Sequence, residues 1–448
     1  MDLAAVLLLL EKELGQVSEN LVKLIQNELD RRIIEPLEIR PFPFGFLSAT
    51  NNWRPWCCRN CLFTVLTRLK DQPQRRQKIV DLFKKSLQEY MDAYSDDGCC
   101  DEGPSYWGVN PLMIMSFYEL LQEQPEDLRK FSLMGDYINN ARLTREYFAN
   151  FADSPVRVNL PAGACYRFGE RTGNERLKNL GLYYAAHTEI RRAFSLFDRL
   201  CNLFWVPLDK TVDPVMEKTS LHYYERFQML FLKERDLALA AKRGFRGSHY
   251  HMDIGQVIIF FREKPVIVDL GSAVYTAETF SKLRFRNWIL NAEAHNVPQF
   301  NGVCQLESPR RDDRAASIRN DDRMCVLTMD LTSAYPPEAE LLKCERIITC
   351  NRLEQSVEIE DRWELKRDNN TVRVPFYTPA AITPTDGQFR IADMVMSVSG
   401  NPTAVTVTEM TMTDSNVIAN WGKTINRLDV VTTSGRRGGR KLRFVPIQ

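Results

Sequence analysis

Three of the five histidines in this 448-residue chain fall between His249 and His295. Their setting suits either metal binding or proton transfer. Two of them stand in Gly247-Ser248-His249-Tyr250-His251-Met252-Asp253-Ile254-Gly255. Alternate residues of an extended segment share a face, so His249, His251 and Asp253 would point the same way. A β-rich run, Gln256–Arg262, follows, then Pro265–Asp269, which continues into Leu270-Gly271, and later Ala294-His295-Asn296. Two neutral imidazoles and one carboxylate form a ligand set for a divalent metal such as zinc, which His251, Asp269 and His295 would supply. Hydrogen-bonded structural histidines are the alternative. Distance speaks against the metal. A tight turn at Glu263-Lys264 would set Asp269 opposite Ile258, leaving His251 seven residues away, ~23 Å along a straight strand. Metal binding therefore requires the histidine segment to fold back, which Gly247 and Gly255 permit.

Two segments of the first half carry further chemistry. Ala49-Thr50-Asn51-Asn52-Trp53-Arg54-Pro55-Trp56 enters a helix. Asn52 there is either a helix cap or a neutral amide donor suited to a carboxylate. Trp53 and Trp56 are core side chains or platforms for sugar rings. Asp96-Asp97-Gly98-Cys99-Cys100-Asp101-Glu102-Gly103-Pro104-Ser105-Tyr106-Trp107 is an acidic loop that ends in an aromatic pair. Tyr106 is either a proton donor and acceptor or an anchor. Cys58 and Cys61 form a CxxC beside Cys57, readable as a zinc or redox pair or as helix-buried thiols.

These residues need two kinds of scaffold. The first half repeats apolar residues at helical spacing, as in Ile79, Leu82, Phe83, Leu87 and Tyr90, with further helices expected at 110–121, 128–142 and 176–204. After about Asp213 the period becomes two, with strands expected at 227–232, 256–262, 265–269, 324–331, 356–365 and 403–412. The expected division is a helical domain over 1–205 and an antiparallel β-sandwich over 206–448, an α+β multidomain chain. Net charge is +1 and charged residues make up 26%, which argues against a general nucleic-acid binder but not against a local basic cleft with subsites such as Arg54, Arg243 and Arg246. The leucine-rich start, Met1 to Leu10, lacks a positive n-region and a cleavage site, so it reads as a buried amphipathic helix. No run is long enough to span a bilayer. Eleven scattered cysteines favour a reducing compartment, and cytoplasmic placement is expected.

Taken in order, these segments resemble the heparinase II/III-like polysaccharide lyases. The likeness lies in the Asn51-Asn52-Trp53 helix entry, the Asp97-Gly98 to Glu102-Gly103-Pro104-Ser105-Tyr106-Trp107 loop, Gly247 to Gly255, Val268-Asp269-Leu270-Gly271, and His295-Asn296 with Asn301-Gly302. It is strongest from Ala241 to Gln305. It implies an N-terminal α/α-toroid, here incomplete or open, followed by an antiparallel β-sandwich, with a cleft between them that cleaves uronic-acid glycans by β-elimination. Carried over by position, Asn52 would neutralise the uronate carboxylate, and Tyr106 and His249 would be the general base and acid. His251, Asp269 and His295 would hold a structural divalent metal, zinc by preference. Trp53, Trp56, Trp107 and Arg246 would contact an acidic poly- or oligosaccharide, with neither nucleic acid nor membrane as a partner. The rivals are a uronate C5-epimerase, a non-catalytic binder of acidic glycans, and a hydrolase whose metal keeps a position open for water.

Overall fold

The computed structural model describes residues 1–39, 45–187, 195–207, 216–244, 249–309, 312, 315–401 and 403–447. Arg246, Gly247 and the change of period near Asp213 lie outside these residues. The chain divides into two compact units. One combines Met1–Cys100, Ser105–Asn139 and Asn159–Pro214; the other combines Asp101–Pro104, Asn140–Val158 and Val215–Gln448.

The first unit is helical. Its longer helices include Trp53–Arg68, Pro73–Ala93, Pro111–Leu121, Leu128–Ala141 and Ala162–Thr172. The stretch expected at 176–204 holds two helices, Glu175–His187 and Leu196–Trp205. Proline opens the helices that begin at 73 and 111, where its missing N–H costs nothing. Gly169 and Gly181 let two of these helices touch backbone to backbone. A Cβ on Gly169 would lie 2.4 Å from the Lys178 nitrogen, and one on Gly181 2.6 Å from that of Tyr166. The leucine-rich start forms a helix, Asp2–Val17, that buries only Ala4, Ala5 and Leu7. Leu8 is 63% exposed, and Leu9 and Leu10 also face solvent. The expectation of a buried helix therefore holds for one face only, because consecutive leucines must spread around the helix circumference.

All eleven cysteines are free thiols. Burial pushes Cys57 up to about 11 and Cys61 up to about 12, and raises Cys58 as well. Without a metal, the CxxC thus carries little thiolate near neutrality. No described helix is long and apolar enough to cross a membrane.

The second unit is built on three antiparallel sheets among the described residues. Five strands, Thr219–Tyr224 through Lys264–Ile267, pair in sequence order. Eight strands form a sheet with Ala316–Asn320 and Ile382–Thr385 at its edges, and four more centre on Thr424–Ser434 and Asn370–Thr378. Met324–Asp330 and Ser356–Leu365 alternate as a half-buried strand should, sending Cys325, Leu327, Met329, Val357 and Ile359 into a shared core.

The five-stranded sheet behaves differently. Met229–Glu234, Leu237–Lys242 and Gln256–Phe261 are buried at every position. One face enters the shared core through Leu230, Leu239 and Ile259. The segment Asn140–Val158 covers the other face, with Phe151 6.3 Å from Phe231 and Tyr147 5.3 Å from Phe260, ring to ring. Burial on both faces explains why Val257–Phe261 is apolar without a break. Its hairpin turns at Arg262-Glu263, one residue earlier than expected, with both φ values positive at 50° and 60° as a two-residue turn of right-twisting strands requires.

Candidate active site

Within the helical unit, Asn52 is buried and sits at the N-cap of Trp53–Arg68, yet its side chain makes no capping bond. Asn51 does that work, its Oδ1 accepting the Trp53 N–H at 3.2 Å. Of the two expected readings for Asn52, capping is therefore set aside. Trp53 is 55% exposed, with its ring 5.8 Å from that of Trp56, so a large aromatic surface lies open to solvent. Tyr106 is half-buried in the short helix Pro104–Trp107.

Trp107, expected to contact substrate, is instead an interior anchor. It is fully buried, donates from Nε1 to the Met134 carbonyl at 2.7 Å, and stacks on Phe168. Trp107→Phe is expected to cost about 1–2 kcal/mol through the lost hydrogen bond and volume. Glycan affinity of the folded variant should not change, and titration calorimetry beside urea unfolding checks both points. Arg54 and Arg243 are not surface subsites either: Arg54 donates to the Ser86 carbonyl, and Arg243 to the Asp330 carbonyl and the Ser333 hydroxyl.

Within the sheet unit, the histidine segment does fold back. Gly255 takes φ 96°, its N–H bonds to the Lys242 carbonyl, and the Gln256 N–H closes a turn onto the Asp253 carbonyl. Gln305 clamps Ile254 from both sides, accepting its N–H at 3.0 Å and donating to its carbonyl at 2.7 Å. The straight-strand separation of ~23 Å therefore collapses. His251, Asp269 and His295 offer ligand atoms within 4.8 Å of one another, and all three side chains are buried.

Each of these loops is tied down. The Asp269 carbonyl accepts from Trp421 Nε1 at 2.8 Å, and its Oδ1 accepts the Gly271 N–H at 2.7 Å. Gly271 has φ 85°, and a Cβ there would meet Asn420 and Asn150 at 2.7 and 2.8 Å. Asn296 positions His295: its Nδ2 donates to the Val257 and Val268 carbonyls, and its N–H donates to Gln256.

The electrostatics of the cluster suit a cation. Burial lowers the His251 imidazole and keeps it neutral near pH 7. Burial also pushes His295 down and Asp269 up, but their mutual attraction, with Nδ1 to Oδ2 at 2.9 Å, outweighs it and reverses both shifts. Among the described residues, His295 Nε2 is buried with no hydrogen-bond partner. A dry nitrogen left in this state needs a proton acceptor or a metal, and two imidazoles with a carboxylate are suitable zinc ligands. The residues fit the group.

His249 lies in the same unit, beside a carboxylate that sequence reasoning missed. Its Nδ1 is 3.0 Å from Asp153 Oδ2, and its Nε2 is 3.4 Å from Glu102. Asp153 also receives His251 Nε2 at 2.8 Å, the Tyr275 hydroxyl at 2.9 Å and Arg284 at 2.9 Å. Burial pushes the Asp153 carboxyl up, but the bonds from His249 and His251 and the Arg284 charge outweigh it and hold it well below the usual carboxylate range. Burial pushes nearby Asp101 up to about 6, with Arg226 and His249 opposing. Asp153, Tyr275, Arg284 and Glu102 thus join the site, while Arg246 is outside the described residues. Asp153 stands in Asn150-Phe151-Ala152-Asp153-Ser154-Pro155, a stretch with no periodic signal. Only the turn-forming Asp-Ser-Pro marked it as a loop.

Residues 231–426 match the family described as heparinase II/III-like, C-terminal. No curated protein matches the chain in sequence. A solved structure of heparinase III is similar over 100% of this chain and 68% of its own, at 12% identity and TM-score 0.69. A heparinase III gene product with methylated lysines is similar over 86% of this chain and 58% of its own, at 14% identity and TM-score 0.60. A heparan sulfate lyase mutant from Pedobacter heparinus is similar over 87% and 59%, again at 14% identity and TM-score 0.60. The chain spans 58–68% of the length of these structures. The likeness establishes a shared fold of helices and antiparallel sheets.

Proposed function

We propose that this chain, whose residues 231–426 match the heparinase II/III-like C-terminal family, is a polysaccharide lyase that cleaves a uronic-acid glycan by β-elimination. The observation that supports this most is the buried His251–Asp269–His295 cluster, with His249 held two residues away in the matched domain. One of the similar structures is a heparan sulfate lyase mutant, which favours an acidic glycosaminoglycan as substrate. In this reading the helical unit forms an α/α-toroid and the sheets form a β-sandwich.

The chemistry assigns the parts. A uronate C5–H is barely acidic while the neighbouring carboxylate is charged, so a neutral donor must stabilise the enolate-like intermediate. Asn52 supplies that donor through its neutral side-chain amide. Tyr106 and His249 divide or share the removal of the C5 proton and the protonation of the departing O4. Trp53 and Trp56 offer the sugar a platform. A zinc ion held by His251, Asp269 and His295 would supply a fixed positive charge that orders the loop carrying His249.

Two measurements test this reading. A panel of uronic-acid glycans is watched for the ultraviolet absorbance of an unsaturated product, because only elimination creates the conjugated double bond. Appearance of that product supports the lyase; epimerised or hydrolysed product with no absorbance overturns it. Metal removal then separates a structural ion from a hydrolytic one. Chelation is expected to lower unfolding free energy by about 3 kcal/mol relative to protein in hundredfold metal excess over its dissociation constant. Turnover lost with unchanged stability would identify a metal-activated water instead.

A further inference from the structure

We infer that Asp153 is the positioning residue of this site, one carboxylate that sets the ring orientation and tautomer of both the proton-transfer residue His249 and the metal ligand His251. The inference rests on the roles proposed above for those two histidines. An ionised carboxylate only accepts hydrogen bonds, at about four lone-pair positions. Asp153 fills them from four side chains: His249 Nδ1 at 3.0 Å, His251 Nε2 at 2.8 Å, the Tyr275 hydroxyl at 2.9 Å, and Arg284, which reaches both oxygens at 3.0 and 2.9 Å. Its side chain has no exposed surface. Both Arg284 contacts come from a single nitrogen, Nη2, which bridges the two oxygens and sets a positive charge against the carboxylate.

The consequence for the two rings follows from valence. Each imidazole must carry its proton on the nitrogen that faces Asp153. His249 is then protonated at Nδ1 and turns Nε2, the atom facing Glu102, toward chemistry. His251 is protonated at Nε2, so only Nδ1 has a lone pair for the cluster with Asp269 and His295. One residue thereby couples metal binding to the state of His249.

The backbone adds an independent sign. Ala152, immediately before Asp153, adopts φ 59°. A left-handed conformation costs a residue with a Cβ, and it persists where the surroundings hold it in place. Here the neighbouring aromatic Phe151 packs on Phe231, and the Val156 N–H is held by Asn420. The kink aims Asp153 at the histidines.

An isosteric change is decisive. The amide of Asp153→Asn has one acceptor oxygen and one donor nitrogen, so it cannot accept from both rings, and one histidine must switch tautomer or turn away. Full-length wild type, Asp153→Asn and Asp153→Glu are compared for zinc affinity by competition with a chelator, and for kcat and KM on a glycan the wild type cleaves. Asp153→Asn is expected to lose about 10–100-fold in zinc affinity and a comparable factor in kcat, with KM little changed. Asp153→Glu, which keeps two acceptors, should recover part of both. Nitrogen NMR of the histidine rings in the zinc-loaded wild type should show His249 protonated at Nδ1 and His251 at Nε2. The opposite tautomer at either ring overturns the inference, as does a folded Asp153→Asn that keeps zinc affinity or kcat within twofold. If the wild type cleaves no glycan, the lyase reading falls, while the zinc and NMR measurements still decide the role of Asp153.

Discussion

Tyr106→Phe is expected to lower kcat on a uronic-acid glycan by about 10²–10⁴-fold while KM stays within about twofold. The substitution removes a single oxygen and leaves the ring. A phenol that takes the C5 proton acts only as the transition state forms, so its loss appears in kcat and not in substrate affinity. Tyr106 is half-buried in a four-residue helix, so the stability cost of the lost hydroxyl should stay near about 1 kcal/mol. His249→Ala supplies the companion measurement. If Tyr106 performs both proton transfers, His249→Ala will retain more activity than Tyr106→Phe; if they share the work, both variants will fall together. Unchanged kcat in Tyr106→Phe with the unsaturated product still forming would remove Tyr106 from the chemistry. If the protein only binds the glycan, neither variant will alter affinity and no unsaturated product will form.

Asp361→Asn should destabilise the sheet unit by about 3–5 kcal/mol. Asp361, Arg346 and Arg440 are completely buried. Arg346 meets both carboxylate oxygens at 2.7 and 2.9 Å, and Arg440 approaches one of them at 3.2 Å. Burial pushes the Asp361 carboxyl up, but the Arg346 and Arg440 guanidiniums outweigh it and hold it below the usual carboxylate range. The amide keeps the shape and removes the carboxylate charge that opposes the two arginines. Urea unfolding at neutral pH reads the loss directly. The sign with pH follows from the depressed value in the folded state. The wild-type contribution is complete above the unfolded carboxyl value, about 4, and is lost as pH falls through the folded value. The gap between wild type and variant should therefore narrow in acid. An equal gap at every pH would mean that the ion pairs do not carry this stability. Arg346 also donates to the carbonyls of Gly255 and Asn296, which border the histidine loop and His295. Weaker metal retention in Asp361→Asn is thus a second expected readout.

Much of the scaffold was legible because local patterns dictate local structure. Helices at 111–121 and 128–141, and strands at 256–261, 324–330, 356–365 and 403–411, lie where apolar spacing put them. The errors have physical causes. The hairpin turned one residue early because left-handed backbone at Arg262 and Glu263 matches strand twist, and neither residue is the glycine or asparagine that would announce it. Trp107 looked like a sugar platform because burial is a property of the packed unit, not of a tyrosine-tryptophan pair.

For the site, residue types offered His251, Asp269 and His295 as one ligand set among alternatives, and Asn52, Tyr106 and His249 as groups able to bind a carboxylate or move protons; the family resemblance assigned them those roles. Amino-acid chemistry is intrinsic, so it can be read without coordinates. Whether the three ligands meet was decided only in three dimensions. Gly255 breaks the strand, Gln305 clamps the loop and Asn296 bridges two strands, and none of those bonds is local in sequence. Asp153 was equally invisible, since it lies 96 residues from His249 and matters through the bonds that converge on it. Short-range periodicity reports which side of an element is apolar; it holds no information about which distant loops a closed core will bring together.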